Sequence, residues 1–215
     1  LDGLAGGVAL IALIGFSYYF IDGSNGTALI VSLGLVGSIV AFLGFNMPAR
    51  FNRPYLAFMG DAGSTMLGFM LAGLALLAVQ PRGAGMPPTV VLWLLPVPIL
   101  ELFTSTVRRL VTGLSPMQAD RGHFHHRLLD AGFSVRAVFI LYLGVSAISA
   151  VSGLWLWKAG VSEPVLFYVF LALSAAWLVF IRNATVLAGR LPASFRPGKL
   201  PPLRRLRRSV TARRH

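Results

Sequence analysis

No cysteine occurs at any of the 215 positions. That excludes a disulfide framework and any thiolate-ligated metal site. Charge is scarce as well. Asp, Glu, Lys and Arg together make up 12% of the chain, about half the share usual in a soluble domain. Acids are the rarest, with 7 Asp and Glu against 19 Lys and Arg. No internal repeat is visible, and no stretch reads as a separate soluble domain. The opening Leu1-Asp2-Gly3 lacks the positive n-region of a signal peptide, and the expectation is a chain that begins inside a longer gene product.

What the sequence has is apolar length. Apolar residues make up 56% of it, gathered in six stretches at roughly 4–20, 27–45, 64–80, 89–107, 137–157 and 165–181. Each is near the length a helix needs to cross the hydrocarbon layer. Lipid offers no partners to free backbone groups, so the spans are helices. The predicted fold is an all-α, polytopic transmembrane helical bundle with about six spanning helices. Gly34, Gly37, Gly44, Gly68 and Gly73 lie inside the spans and are expected to let neighbouring helices approach.

Basic residues set the orientation. Arg50, Arg53, Arg108, Arg109, Arg121, Arg127, Arg136 and all of those from Arg182 onward fall on one side, leaving only Arg82 and Lys158 on the other. The loops 46–63 and 108–136 and both chain ends are therefore expected to face the cytoplasm. Residues 1–181 form the predicted membrane domain and 182–215 a basic cytoplasmic tail. That tail is Arg- and Pro-rich and directly follows a span, so it reads as an anchor on anionic lipid headgroups and not as a nucleic-acid-binding arm.

Chemistry then has few carriers. Asp22 and Glu163 fall on the sparsely charged side and read as solvated. The stretch Phe58-Met59-Gly60-Asp61-Ala62-Gly63-Ser64 sits where an inner loop becomes the third span. Asp61 is placed to cap that helix. Its flanking glycines would also permit a ligand close to the backbone, a helix N-terminus favours anions, and Phe58 would set an aromatic face nearby. Further on, His123, His125 and His126 fall within four positions, between Arg121 and Arg127. Imidazole and guanidinium together suit a diphosphate. Zinc could use such imidazoles, but no thiolate or further histidine lies near, and phosphate contact is the preferred reading. Glu101 lies within an apolar helix behind Pro96 and Pro98. An ionisable group inside a span points to function, although a structural pairing with Arg108 or Arg109 would also explain it.

Together these motifs resemble one family, the polyprenyl-phosphate N-acetylhexosamine-1-phosphate transferases, or glycosyltransferase family 4 membrane enzymes. FMGDAGS at 58–64 resembles the family's metal-site motif and DRGHFHH at 120–126 its cytoplasmic histidine motif. LDGLAGG at 1–7 resembles the end of a longer acidic motif. The resemblance implies that Asp61 coordinates Mg²⁺, with Mn²⁺ as an alternative, that Phe58 stacks on uracil, and that Asp2 bonds the same ring. It implies that His123, His125 and His126 lie along the diphosphate and sugar, with Arg121 as a phosphate partner. Glu101 takes low functional weight, because it falls where relatives carry Asp or Glu.

The implied activity is transfer of a sugar 1-phosphate from a UDP-sugar to polyprenyl phosphate, releasing UMP, in a bacterial plasma membrane. His-Phe-His-His resembles the N-acetylglucosamine branch more than the peptidoglycan branch, phospho-N-acetylmuramoyl-pentapeptide transferase, where three consecutive histidines are usual. The oligomeric state is left open, a homodimer included. The family's adjacent Asp pair has no counterpart here, since Asp-Asp occurs nowhere in the chain. These residues alone are therefore expected to be inactive. Two other classes compete: a transporter built on a broken helix at Glu101, and a non-catalytic membrane anchor, which would leave the histidines idle.

Overall fold

An α-helix rises about 1.5 Å per residue, so about 20 apolar residues cover the hydrocarbon of a bilayer. The structure, a computed structural model, describes residues 3–22, 25–46, 57–80, 85–111, 113, 115 and 124–190. Its helices are α1 (Leu4–Ile21), α2 (Gly26–Asn46), α3 (Gly60–Val79), α4 (Pro88–Leu94), α5 (Pro96–Val111), α6 (Phe124–Asp130), α7 (Val135–Lys158) and α8 (Glu163–Arg190). Among the described residues there is no strand. α1, α2, α3, α7 and residues Glu163–Asn183 of α8 are each long and apolar enough to cross a membrane.

The fourth predicted span, 89–107, is not one straight helix. It is divided into α4 and α5, which meet at an angle of 91°. The cause is local. Pro96 lacks an N–H, and its ring disfavours helical backbone in the residue before it. Leu95 accordingly leaves the helix with φ −120° and ψ 41°. α8 also runs past the predicted end of its span, to Arg190. Ala184-Thr185-Val186-Leu187-Ala188 contains no breaker, and the next proline in the sequence is Pro192.

The bundle is organised around α1. Its Ala12, Leu13, Phe16 and Phe20 are completely buried, against α2, α3, α4 and α7. α2 and α8 are peripheral, with only 17% of the spanning window buried in each. Their outward residues, such as Ile30, Val40 and Leu173, are apolar and exposed, as lipid-facing positions should be. The expected role of Gly34, Gly37, Gly44, Gly68 and Gly73 in close packing is not observed, since a Cβ at any of them would meet nothing within 4 Å. Gly68 instead borders an open cavity that residues of α1 also line. The close approach is made elsewhere: at Gly153 of α7 a Cβ would run into the Trp93 side chain of α4.

Polar bonds pin the end of the bundle farther from the histidine stretch. Tyr19 donates its hydroxyl to the Ala78 carbonyl at 3.2 Å and accepts the Met86 N–H at 3.1 Å. Glu163 accepts from Thr89 through both N–H (3.3 Å) and Oγ1 (3.0 Å), which satisfies an open donor at the start of α4. Lys158 lies 3.3 Å from Asp22 and 4.6 Å from the centroid of Tyr18. Asp22 and Glu163 are therefore not merely solvated, as expected from sequence. Each is exposed yet ties two helices together.

Candidate active site

The opposite end of the bundle collects the starts of α1, α3, α6 and α7 and the body of α5. Glu101 lies on α5, just past the bend. Its side chain is 14% exposed. A carboxylate withdrawn this far from water needs partners, and it has them. Tyr142 of α7 donates its hydroxyl to Glu101 Oε1 at 2.8 Å. The Phe124 N–H, first in α6, donates to Oε2 at 3.2 Å. His125 Nδ1 lies 3.8 Å from Oε1, close enough for electrostatic attraction but too far for a hydrogen bond. Tyr142 further holds the His125 ring edge-on at 6.4 Å between centroids, and the Trp177 ring of α8 at 6.1 Å.

α6 has only 7 residues and is too short to be stable alone. Phe124 and Leu128, one turn apart, bury its apolar face against Val138 and Tyr142 of α7 and Ile181 of α8. That packing fixes the helix on the bundle, and Glu101 fixes where it starts.

α3 begins differently from the expectation. Gly60 has φ +65°, a conformation that costs an L-residue about 1–2 kcal/mol. The left-handed turn starts the helix there, with Met59 at the N-cap and no side-chain cap. Asp61 therefore lies inside the first turn instead of capping it. Its charge still complements the positive end of the helix, and its side chain is exposed. Phe58 lies just before the Met59 cap and is 73% exposed. An exposed carboxylate beside an exposed aromatic ring is free to meet a soluble ligand.

A cavity of about 370 Å³ joins the two motifs. Ser64 and Gly68 of α3 line one wall, Glu101, His125 and Tyr142 another, and Leu4 and Val8 of α1 a third. Gly68 offers no side chain to fill it. Ser64 lies one turn beyond Asp61 and donates to the Asp61 carbonyl at 3.0 Å. Asp61 itself lies outside the cavity wall, one helical turn from it. The cavity is apolar along α1 and polar at Glu101 and His125, a form suited to an amphiphilic substrate. A larger cavity of about 520 Å³, between α1 and α7 near Tyr18 and Trp155, is almost wholly apolar and holds no grouped reactive side chains.

Of the predicted site residues, the structure describes Asp61, Phe58 and His125. Asp2, Arg121 and His123 lie outside the described residues, as does the side chain of His126. Among the described residues no three His, Asp or Glu side chains gather as a metal cluster. Mg²⁺ needs no such cluster, because it often takes one or two carboxylates and completes its shell with water and substrate phosphates. The exposed Asp61 carboxylate fits that role. Tyr142 was not foreseen. The sequence signal was present, a tyrosine within an apolar span whose hydroxyl must find a partner. Glu101 was singled out for its place within a span, but its contacts with Tyr142, Phe124 and His125 were not foreseen.

Known proteins bear on the same regions. Residues 1–79 match the family model described as glycosyl transferase family 4. The undecaprenyl-phosphate alpha-N-acetylglucosaminyl 1-phosphate transferase of Haemophilus influenzae is 35% identical over 153 residues, covering 71% of this chain and 43% of that protein. The protein of the same name from Pasteurella multocida is 32% identical over 157 residues, covering 69% and 44%. That of Escherichia coli K12 is 34% identical over 155 residues, covering 71% and 41%. The chain thus spans less than half the length of these relatives. No solved structure matches it.

Proposed function

Because the chain belongs to glycosyl transferase family 4, we propose that the protein carrying it transfers N-acetylglucosamine 1-phosphate from UDP-N-acetylglucosamine to undecaprenyl phosphate, releasing UMP. This would be an early membrane step in making a cell-envelope glycan. The observation that carries the reading is the cavity bordered by both the α3 start and His125. The names of the relatives support the lipid acceptor and the sugar.

A phosphate oxygen of the lipid attacks the sugar-linked phosphorus of the donor. A new P–O bond forms, the bond to the UMP phosphate breaks, and UMP leaves with the electron pair. The protein's part in such transfer is positioning and charge stabilisation. His125 would lie along the diphosphate, with His123, His126 and Arg121 beside it. Phe58 offers a stacking face for the uracil ring, and Asp2 a hydrogen-bond acceptor. Asp61 would hold Mg²⁺, or Mn²⁺ with the same oxygen ligands, which supplies neutralisation of diphosphate charge. The apolar wall of Leu4, Val8, Leu67 and Val97 suits the first units of a prenyl chain.

The site end is assigned to the cytoplasmic face of the bacterial inner membrane. It is the end of the basic loops, and the donor is a cytoplasmic metabolite. Residues 1–181 are assigned to the membrane domain and 182–215 to the basic tail on lipid headgroups. The test is exchange of labelled UMP into UDP-N-acetylglucosamine by the purified gene product. Exchange should require Mg²⁺ or Mn²⁺. Unaltered exchange in the Asp61→Asn variant would remove the metal role.

A further inference from the structure

Glu101 is more than a tolerated acid in a span. Its two oxygens do separate work: Oε2 receives the first N–H of α6, and Oε1 faces both the Tyr142 hydroxyl and His125 Nδ1. One carboxylate therefore holds the start of α6 and stands 3.8 Å from one edge of the only imidazole described at the cavity. The bend at Pro96 is what carries Glu101 there, since an unbroken helix from Pro88 would continue along the α4 axis. Tyr142 fixes the carboxylate from the other side and packs on the His125 ring itself.

We propose that Glu101 is a positioning residue for His125, with Tyr142 as its partner, and that it acts on the reaction only through that histidine. The inference rests on the transferase reading above. Glu101 would hold the imidazole so that Nδ1 faces the carboxylate and Nε2 faces the cavity. Hydrophobic packing by Phe124 and Leu128 can seat α6, but it cannot choose a ring orientation. A fixed carboxylate 3.8 Å from Nδ1 can, by favouring the ring orientation and tautomer that turn an N–H toward its charge.

The test uses the full gene product in detergent or nanodiscs. Glu101→Gln keeps the shape and one acceptor but removes the charge. It should lower kcat about tenfold or more while leaving KM for UDP-N-acetylglucosamine within about threefold. Combined with His125→Asn, it should lower kcat no further than His125→Asn alone, because both changes remove one unit. Tyr142→Phe should show a smaller loss with the same non-additivity. Glu101→Asp restores the charge with a shorter reach and should recover part of kcat, which guards against a folding artefact. A wild-type kcat in Glu101→Gln, or losses that multiply with His125→Asn, would overturn the proposal.

A second readout does not depend on turnover. In protein carrying nitrogen-15 histidine, the His125 ring signals, identified by their loss in His125→Asn, should report one dominant tautomer. Glu101→Gln should shift them to a mixed population. Unchanged ring signals would overturn the positioning role, whatever the activity. Loss of exchange in the wild-type protein with the tautomer shift intact would instead sink the transferase reading and leave the Glu101–His125 coupling standing.

Discussion

Tyr142 donates its hydroxyl to Glu101 at 2.8 Å, joining the fifth and seventh helices beneath the histidine-bearing turn. A hydrogen bond to a charged acceptor contributes about 1.5–3 kcal/mol, and leaving a buried acceptor short of a partner adds to the loss. Tyr142→Phe should therefore lower stability by about 1–3 kcal/mol. Thermal unfolding in detergent checks this. An unchanged midpoint would mean that Glu101 finds an equal partner.

Packing at Gly153 gives a sharper contrast. A methyl group there would collide with Trp93, whereas one at Gly34 meets nothing. Gly153→Ala should destabilise by about 1–3 kcal/mol through overpacking. Gly34→Ala should be neutral or stabilising by up to about 1 kcal/mol, because alanine favours the helix. Paired melting curves of the two variants decide it.

At the far end, Glu163 serves as a cap for α4 from another helix. Glu163→Ala should cost about 0.5–2 kcal/mol, as losing a helix cap does. It should leave KM for the sugar nucleotide alone, because the residue is at the end away from the cavity. A change in KM with no change in melting would contradict this placement.

The absence of native cysteine makes orientation easy to measure. Single cysteines at Phe58 and Ser162, both exposed and at opposite ends of the bundle, should react from opposite sides. An impermeant maleimide should label Ser162→Cys in intact spheroplasts. It should label Phe58→Cys only after the membrane is opened. The reverse pattern would invert the assigned topology.

The helices were legible because apolar length and loop charge are properties of the sequence itself. Leu4–Ile21 and Gly26–Asn46 fall within a residue or two of the stretches that predicted them. A broken helix near Glu101 was weighed from the two prolines, but the 91° angle of the break was not legible, because a proline can kink a span mildly or break it and the outcome depends on packing. The motif at Asp61 was legible as chemistry but not as geometry: with Gly60 at positive φ, the N-cap falls at Met59, two residues before the expected Asp61. Glu101 and Tyr142 lie 41 positions apart. No local pattern signals that contact, and only the folded bundle makes the acid a neighbour of His125.

The account depends on Asp61 and His125 serving one bound nucleotide sugar. The direct measurement is the rate at which N-ethylmaleimide alkylates a single cysteine placed at Ser64, on the cavity wall between them. UDP-N-acetylglucosamine with Mg²⁺ should slow that rate several-fold. The protection should vanish in EDTA, and equally when Asp61→Asn or His125→Asn is added. An alkylation rate indifferent to the nucleotide sugar, or protection that survives both substitutions, would contradict it.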